Sequence, residues 1–433
     1  MVEFLLLFTA FVIALSTTDK TRLFSPGGAF SIYAFLSMLT FYVVTSFEFQ
    51  QKILFTAMPL YGLQTVAKAT LTQYLFLVVL GKLASFGIPS ISVNKQPRQS
   101  VRTFRNAERF INGWGAALVI YALAILTLIN FLEIDKSLLW HNRTYLTIAS
   151  PEAMGITNTM GRIFYFGMRP IGLVLFSLSI YYYFTRNILL FSVCLVISGY
   201  ILIIMLAGSS RWAPLYFLSA FLSNAYLRRR MFSALNILLL SLMFISFLMV
   251  LIGRNEPDQG LSQIFNNLAQ ISSSSVWPYL GGFVVNVTEG ATSFANTMLI
   301  DSNHAPIYKN LSFSPLPSII DGFSEIQEFS QIRISVYVPM SAIGEAYKFG
   351  VGYMVLFYTG IFIWLRTTTR LFLKNSGPGA LLITIISYWL IFTLHTYPIR
   401  TTWRYIIIVT AISFLVQIFT KNRLKRQRAQ KRH

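Results

Sequence analysis

Residues 188–206 read Ile188-Leu-Leu-Phe-Ser-Val-Cys-Leu-Val-Ile-Ser-Gly-Tyr-Ile-Leu-Ile-Ile-Met-Leu206, without a charged side chain. A run of about 20 apolar residues is long enough to cross the ~30 Å hydrocarbon core of a bilayer as a helix. Backbone groups in lipid must form hydrogen bonds within their own segment, so we expect this run to be helical. It therefore predicts an all-α membrane protein.

Comparable apolar runs recur along the whole chain. Of the 433 residues, 55% are hydrophobic and 12% are charged, whereas a soluble protein carries about 25% charged residues. We expect a polytopic protein with about eleven transmembrane helices. The range is 10–12, because residues 2–16 form a short run that need not cross. The predicted spans are 2–16, 26–47, 63–85, 112–132, 163–184, 188–206, 213–227, 232–252, 347–365, 380–397 and 403–420.

Lysine and arginine in short loops predict the orientation of the spans, because cytoplasmic loops carry an excess of both. With the N-terminus outside, the cytoplasmic stretches hold most of the basic residues, and their only acids are Asp19 and Glu108. The reverse orientation would place Arg228-Arg229-Arg230 and the basic tail 421–433 outside, so we reject it. The predicted cytoplasmic stretches are 17–25, 82–111, 185–187, 228–231, 366–379 and 421–433.

One long polar loop, residues 253–346, separates the eighth and ninth spans. A loop of this length is rarely an idle connector, and this one falls on the outer side. We expect spans 1–8 in 1–252, amphipathic helices within 253–346, spans 9–11 in 347–420 and a basic cytoplasmic tail in 421–433. Trp277-Pro278 and the run 283–300 are candidates for helices that lie on or dip into the outer leaflet.

Charge and motifs exclude several classes of protein. The net charge is +20, but the basic residues are dispersed over short loops and a tail, so orientation explains them better than nucleic-acid binding does. The single cysteine, Cys194, forms no intramolecular disulfide. No metal-ligand spacing, phosphate-binding glycine loop or Gly-x-Ser-x-Gly elbow occurs, and we predict neither a metal nor a cofactor.

Arginines on the predicted outer face are the unusual feature, because cytoplasmic bias should deplete them there. A charge within the membrane usually faces a cavity and has a partner, and guanidinium forks pair with phosphate oxygens. Each arginine could also contact lipid headgroups or a nearby acid. Arg211 and Arg333 are our strongest candidates for binding a pyrophosphate, and the lesser ones are Arg169, Arg254 and Arg400.

Glu345 directly precedes the ninth span, after Pro339 and Gly344. A carboxylate at this position suits a helix N-terminus, and it could also activate a hydroxyl or orient an arginine. His304 and His395 are alternative bases. Tyr347, two residues after Glu345, is a further substrate-binding candidate.

The run Pro339-Met-Ser-Ala-Ile-Gly344-Glu345-Ala-Tyr347-Lys-Phe-Gly-Val-Gly352 resembles the late segment of bacterial O-antigen (Wzy-type) polymerases and related repeat-unit polymerases. Arg333, ten residues and Gly344 are similar to the Arg-x10-Gly pattern of their periplasmic loops, although a second copy is absent. Gly208-Ser-Ser-Arg211 resembles their Gly-x-x-Arg junction. The motifs cover about 30 residues, and the layout of spans and loop matches along the whole chain.

The resemblance implies a glycosyltransferase of the bacterial inner membrane whose active site faces the periplasm. It would join oligosaccharide repeat units carried on undecaprenyl pyrophosphate, with membrane lipids and a chain-length regulator as further expected partners. Arginines would stabilise the pyrophosphate leaving group. A flippase for lipid-linked oligosaccharides is an alternative, although such transporters usually show repeated halves with short loops. An O-antigen ligase is another, although no Gly-x-x-Gly follows His304 as its motif would require.

Overall fold

The fold was analysed in a computed structural model. It describes residues 2–16, 20–46, 59–88, 114–141, 151–210, 212–228, 233–255, 260–263, 266, 281–282, 284, 287–316, 321–335, 338–374 and 378–430. The chain forms two compact units. The terminal unit contains residues 1–96 and 284–433, and the middle unit contains residues 97–283. The polar loop 253–346 is therefore divided between the two units.

The described chain is predominantly helical, as the sequence predicts. The first helices are α1 Val2–Leu15, α2 Lys20–Leu23, α3 Pro26–Ser46 and α4 Ala67–Ser85, with a 3-10 turn at Leu63–Val66 before α4. Next come α5 Trp114–Glu133, α6 Lys136–Trp140, α7 Thr159–Phe184, α8 Ile188–Ala207, α9 Trp212–Arg228 and α10 Ala234–Asn255. The last are α11 Gly290–Leu299, α12 Pro306–Ser312, α13 Phe323–Ser330, α14 Ala342–Phe349, α15 Val351–Lys374, α16 Pro378–Thr396 and α17 Ile399–Gln430.

Each of the eleven predicted spans contains a helix, but the helices differ in length and composition. Within the described part of the chain, six are long and apolar enough to cross a membrane, and the bent helix α7 would make a seventh. The six are Pro26–Ser46, Leu63–Ser85, Ile188–Ala207, Ala234–Ile252, Val351–Lys374 and Ile399–Ile418. The chain is thus a multi-pass helical protein by length and composition, and the count of eleven stays a prediction.

Helices α3 and α4 approach each other closely in the terminal unit. A Cβ atom on Gly27 would lie 2.8 Å from the carbonyl oxygen of Gly81, and one on Gly81 would lie 2.7 Å from that of Gly27. Small residues at a crossing let two backbones approach, which is typical of helices packed in lipid. The amide of Gly27 also donates to Thr369 Oγ1 at 2.8 Å, which links α3 to α15.

Polar side chains connect the helices of the middle unit. Tyr200 on α8 donates to Asn130 on α5 at 2.8 Å, and Asn224 on α9 donates to Asn236 on α10 at 2.6 Å. Helix α7 bends by 61° between Tyr165 and Gly167. Pro170 lies within α7 and lacks the amide hydrogen that would bond four residues back, which accounts for the bend.

Helix α11 lies within the run 283–300, and its position relative to the outer leaflet stays a prediction. Residues Gly290 to Thr297 of α11 are all buried, and the helix packs against α3, α14 and α16 within the terminal unit. Its sequence, Gly-Ala-Thr-Ser-Phe-Ala-Asn-Thr-Met-Leu, is rich in small residues that allow close contact on every side. Trp277-Pro278, the other candidate, lies outside the described residues.

Candidate functional site

The short helix α14 carries Glu345 and is fixed at both ends. Ser341 caps it, with its Oγ accepting a hydrogen bond from the amide of Gly344 at 3.1 Å. At the other end, Gly350 has φ +104°, a conformation that glycine adopts without the steric cost of a Cβ. Helix α14 is thus separate from the span α15, and Glu345 lies inside α14 instead of directly before the span as the sequence predicted.

Gly344 lets α14 pack tightly on α11. A Cβ atom at Gly344 would lie 2.6 Å from Oγ1 and 3.1 Å from Cβ of Thr297, closer than real contacts allow. The glycine of the Arg-x10-Gly pattern therefore has a packing role in this chain, and it places the next residue, Glu345, inside the unit.

Glu345 is fully buried and accepts two hydrogen bonds. Its Oε1 accepts from the hydroxyl of Tyr308 on α12 at 2.8 Å, and its Oε2 accepts from the amide of Ile399 at 2.7 Å. Ile399 is the first residue of α17, so the carboxylate lies at the positive end of that helix. Burial raises the pKa of Glu345 to about 7, although both hydrogen bonds act in the opposite direction.

His304 and Tyr308 extend this group into the loop before α14. The two rings stack with their centroids 4.8 Å apart, and His304 is 3% exposed. Neither ring nitrogen of His304 has a hydrogen-bond partner among the described residues. Burial, together with the charges of Lys309 and Lys348, lowers the pKa of His304 to about 4. We call His304, Tyr308 and Glu345 the Glu345 cluster.

Arg400, the second residue of α17, forms a buried ion pair with Asp321. Its Nη2 lies 2.8 and 2.6 Å from the two carboxylate oxygens, and the side chains are 4% and 6% exposed. The guanidinium also donates to the carbonyls of Leu311, Ser314 and Leu316 and lies 4.6 Å from the centre of the Phe323 ring. Both terminal nitrogens are thus engaged by protein groups, which favours a structural role over phosphate binding.

The pKa of Asp321 reflects the same ion pair. Burial acts to raise this pKa, but hydrogen bonds from Ser314 and Arg400 outweigh it and hold the pKa below its ordinary value. Asp321 is therefore ionised at neutral pH and balances the charge of Arg400.

Arg333 and Tyr347 lie in the terminal unit with the Glu345 cluster. Arg333 is exposed on strand β1, Arg333–Ser335, which pairs antiparallel with β2, Val338–Pro339. Its charge acts to lower the pKa of Tyr308, although burial and Glu345 together raise that pKa. Tyr347 is 42% exposed, and its ring contacts Phe294 on α11 with centroids 5.3 Å apart.

His395 lies near the end of α16 in a different group of aromatic residues. It is fully buried, and its Nδ1 is 3.1 Å from the hydroxyl of Tyr74. Its ring also contacts Tyr33 and Phe30. Gly290 provides the space, because a Cβ atom there would lie 2.8 Å from His395 Nδ1. This packing is typical of an interior histidine, and none of these contacts joins His395 to Glu345.

The other predicted arginines belong to the middle unit. Arg169 precedes Pro170 in α7 and is partly buried, and its carbonyl accepts a hydrogen bond from Tyr216 at 3.0 Å. Arg254 lies in the last turn of α10. Arg211 lies outside the described residues.

The site contains residues that sequence reasoning missed. Tyr308 had no signal, because one tyrosine among 22 stands out only when its contact with Glu345 is seen. Asp321 was not among the candidates either, and its role becomes clear only from its ion pair with Arg400. No three metal-ligating side chains lie together in the described part of the chain.

Comparison of the chain with protein-family models, with curated proteins and with solved structures gives no match. The chemistry of the site must therefore be argued from its own groups. A carboxyl with a pKa near 7 can hold or release a proton at neutral pH. Because Glu345 is fully buried, its polar contacts are with Tyr308 and with the first amide of α17.

Proposed function

We propose that the protein is a membrane glycosyltransferase that joins oligosaccharide repeat units carried on undecaprenyl pyrophosphate, at the periplasmic face of a bacterial inner membrane. The observation that carries the proposal is the Glu345 cluster. A buried carboxyl with a pKa near 7 lies in the run Pro339–Gly352 that resembles repeat-unit polymerases. Perturbed carboxyl groups of this kind concentrate at functional sites.

The proposed reaction forms one bond and breaks one bond. A hydroxyl oxygen of the acceptor sugar bonds to the anomeric carbon of the donor chain, and the bond from that carbon to the pyrophosphate oxygen breaks. The hydroxyl proton passes to a base, and the electron pair leaves with the pyrophosphate. The protein has to neutralise the leaving group and align two lipid-anchored substrates.

Arg333 is the arginine in the terminal unit best suited to the leaving group, because it is exposed and its charge reaches Tyr308. Arg211 remains the second candidate on the Gly208–Arg211 resemblance. Arg400 is reassigned as a positioning residue, because Asp321 and three carbonyls engage its guanidinium. Glu345 is likewise a positioning residue that orients Tyr308 and the first amide of α17.

The deciding experiment is the lipopolysaccharide ladder of a deletion strain that is complemented with variants. Arg333→Ala should leave the protein in the membrane but collapse the ladder to a single repeat. Lys68→Ala is the matched control, because Lys68 is an exposed cation of the same unit at the predicted outer end of α4. This control should give the normal ladder.

The proposal and its alternatives give different outcomes. A normal ladder in the deletion strain excludes the polymerase. Repeat units that accumulate on the cytoplasmic face indicate the flippase, and free polymer that is not joined to lipid A indicates the ligase. A normal ladder with Arg333→Ala, against a collapsed ladder in the deletion strain, removes only the assignment of Arg333.

A further inference from the structure

A second site lies at the opposite end of the terminal unit from the Glu345 cluster. The ends of α4 and α15 and one face of α17 surround a pocket of about 460 Å³, a size that accommodates small ligands. The lining residues that carry the argument are Phe362, Ile363, Arg366, Arg370, Lys374 and Phe414. This end is the one that the charge distribution predicts to face the cytoplasm.

The pocket has a charged part and an apolar part. Phe362, Arg366, Arg370 and Lys374 recur every four residues along α15, so they share one face of that helix. The last three add three positive charges, and none of the described residues that line the pocket is acidic. Phe362, Ile363 and Phe414 form the apolar part of the lining.

The three cations do not have the same role. Arg366 donates to the carbonyl of Phe86 at 3.1 Å and so caps the end of α4. Arg370 and Lys374 are exposed, and neither has an ion pair or hydrogen bond within the described part of the chain. Gln417 donates to the carbonyl of Thr367 at 3.0 Å, which fixes α17 against α15.

Apolar surface next to these cations remains open. Ile363 is 43% exposed and Phe414 is 48% exposed. An anion that lacks an apolar portion would pair with Arg370 and Lys374 but would leave this surface uncovered. A lipid with a phosphate headgroup satisfies both parts, because its phosphate pairs with the cations while its acyl chain covers Ile363 and Phe414.

We propose that this pocket is a binding site for an anionic phospholipid of the cytoplasmic leaflet, with its phosphate held by Arg370 and Lys374. Basic pockets between transmembrane helices on the cytoplasmic side are suited to such headgroups. The site is separate from the Glu345 cluster, and the proposal does not depend on the glycosyltransferase reaction.

The test is native mass spectrometry of the purified full chain in a neutral detergent. Phosphatidylglycerol should bind more tightly than phosphatidylcholine with the same acyl chains. The double variant Arg370→Gln/Lys374→Gln should weaken binding of phosphatidylglycerol by about tenfold or more, because each basic residue near a headgroup contributes to attraction. Arg370→Lys/Lys374→Arg, which conserves the charge, should restore it.

The control is Lys421→Gln/Arg423→Gln, which removes the same charge from the basic tail and should leave binding unchanged. Equal weakening by this control would indicate general attraction to the tail and would overturn the proposal. Equal binding of the two lipids, or unchanged binding by the pocket variant, would do the same. Inorganic phosphate that displaces the lipid at millimolar concentration would indicate a phosphate site in place of a lipid site.

A second measurement avoids any change of charge. In Phe414→Trp, brominated acyl chains should quench tryptophan fluorescence more strongly on phosphatidylglycerol than on phosphatidylcholine. Equal quenching would contradict the proposal even if the charge variants failed to fold.

Discussion

The two ends of the terminal unit use charge in opposite ways. Where α17 begins, Arg400 and Asp321 are buried against each other, and Glu345 is enclosed with two hydrogen-bond donors. Where α15 ends, Arg370 and Lys374 are exposed and have no acidic partner among the described residues. The first arrangement uses charge to hold segments of the chain together, and the second leaves charge available to a ligand.

Physical chemistry explains why the two arrangements should respond differently to mutation. A buried charge that loses its partner keeps its desolvation cost, whereas an exposed charge keeps its water. Variants at the first end should therefore change the stability of the fold, and variants at the second end should leave it almost unchanged. The following five variants test this difference.

Arg400→Ala should have the largest effect on stability. It leaves Asp321 buried without a counter-charge and frees three carbonyls, so we expect a loss of about 3–5 kcal/mol. Thermal unfolding in detergent measures this as a lower Tm. Asp321→Asn in the Arg400→Ala background should recover part of the loss. A Tm within error of the wild type would show that the ion pair does not anchor the loop.

Glu345→Gln should change the pH dependence of stability. The pKa of Glu345 rises from 4.5 to about 7 on folding, so the folded state binds the extra proton between these values. Its contribution is therefore fully present below pH 4.5 and is lost as the pH rises through 7, on the order of 3 kcal/mol in total. In Glu345→Gln, the Tm measured between pH 5 and 8 should no longer show this decrease as the pH rises.

His304 acts in the opposite direction and provides the matched comparison. Its pKa falls from 6.5 to about 4 on folding, so its contribution is present above pH 6.5 and is lost as the pH falls towards 4. In His304→Phe, the Tm should therefore no longer show the increase that accompanies a rise in pH from 4 towards 6.5. If both variants shift the profile in the same direction, the assignment of opposite protonation changes is wrong.

Gly344→Ala should have a smaller effect, about 1–3 kcal/mol, because its Cβ would overlap Thr297 in a packed interior. Thr297→Ala in the same chain should restore part of the Tm by removing the atoms that clash. A Gly344→Ala variant as stable as the wild type would show that α14 can shift on α11 without cost.

Arg370→Gln should have the smallest effect on stability. An exposed charge without a partner contributes little, so the free energy of unfolding in lipid-free detergent should stay within about 0.5 kcal/mol of the wild type, and the Tm should hardly change. A large loss would place Arg370 in the same class as Arg400 and remove the contrast between the two ends.

The sequence predicts the helices better than it predicts the site. Apolar runs locate a helix in all eleven predicted spans because membrane helices must satisfy their own backbone hydrogen bonds. Glu345 was selected from its local setting, but the donors that make it unusual, Tyr308 and Ile399, are 37 and 54 residues away. No periodicity in the sequence encodes such contacts.

Arg400 is a second residue whose role depends on a contact that is distant in the sequence. An arginine on the predicted outer face is equally consistent with a ligand and with a buried partner, and the choice depends on Asp321, 79 residues earlier. Helix α11 shows a related limit, because small residues allow its burial on all sides and hydropathy alone does not predict that burial.

The start of α17 also sets the order in which the chain can assemble. Glu345 accepts one of its hydrogen bonds from Ile399, and Asp321 accepts from Arg400, whereas synthesis proceeds from the N-terminus. Every segment of the Glu345 cluster is therefore made before the helix that fixes it in place. A chain that ends before Ile399 contains the whole Glu345 cluster but lacks the amide of Ile399 and the guanidinium of Arg400.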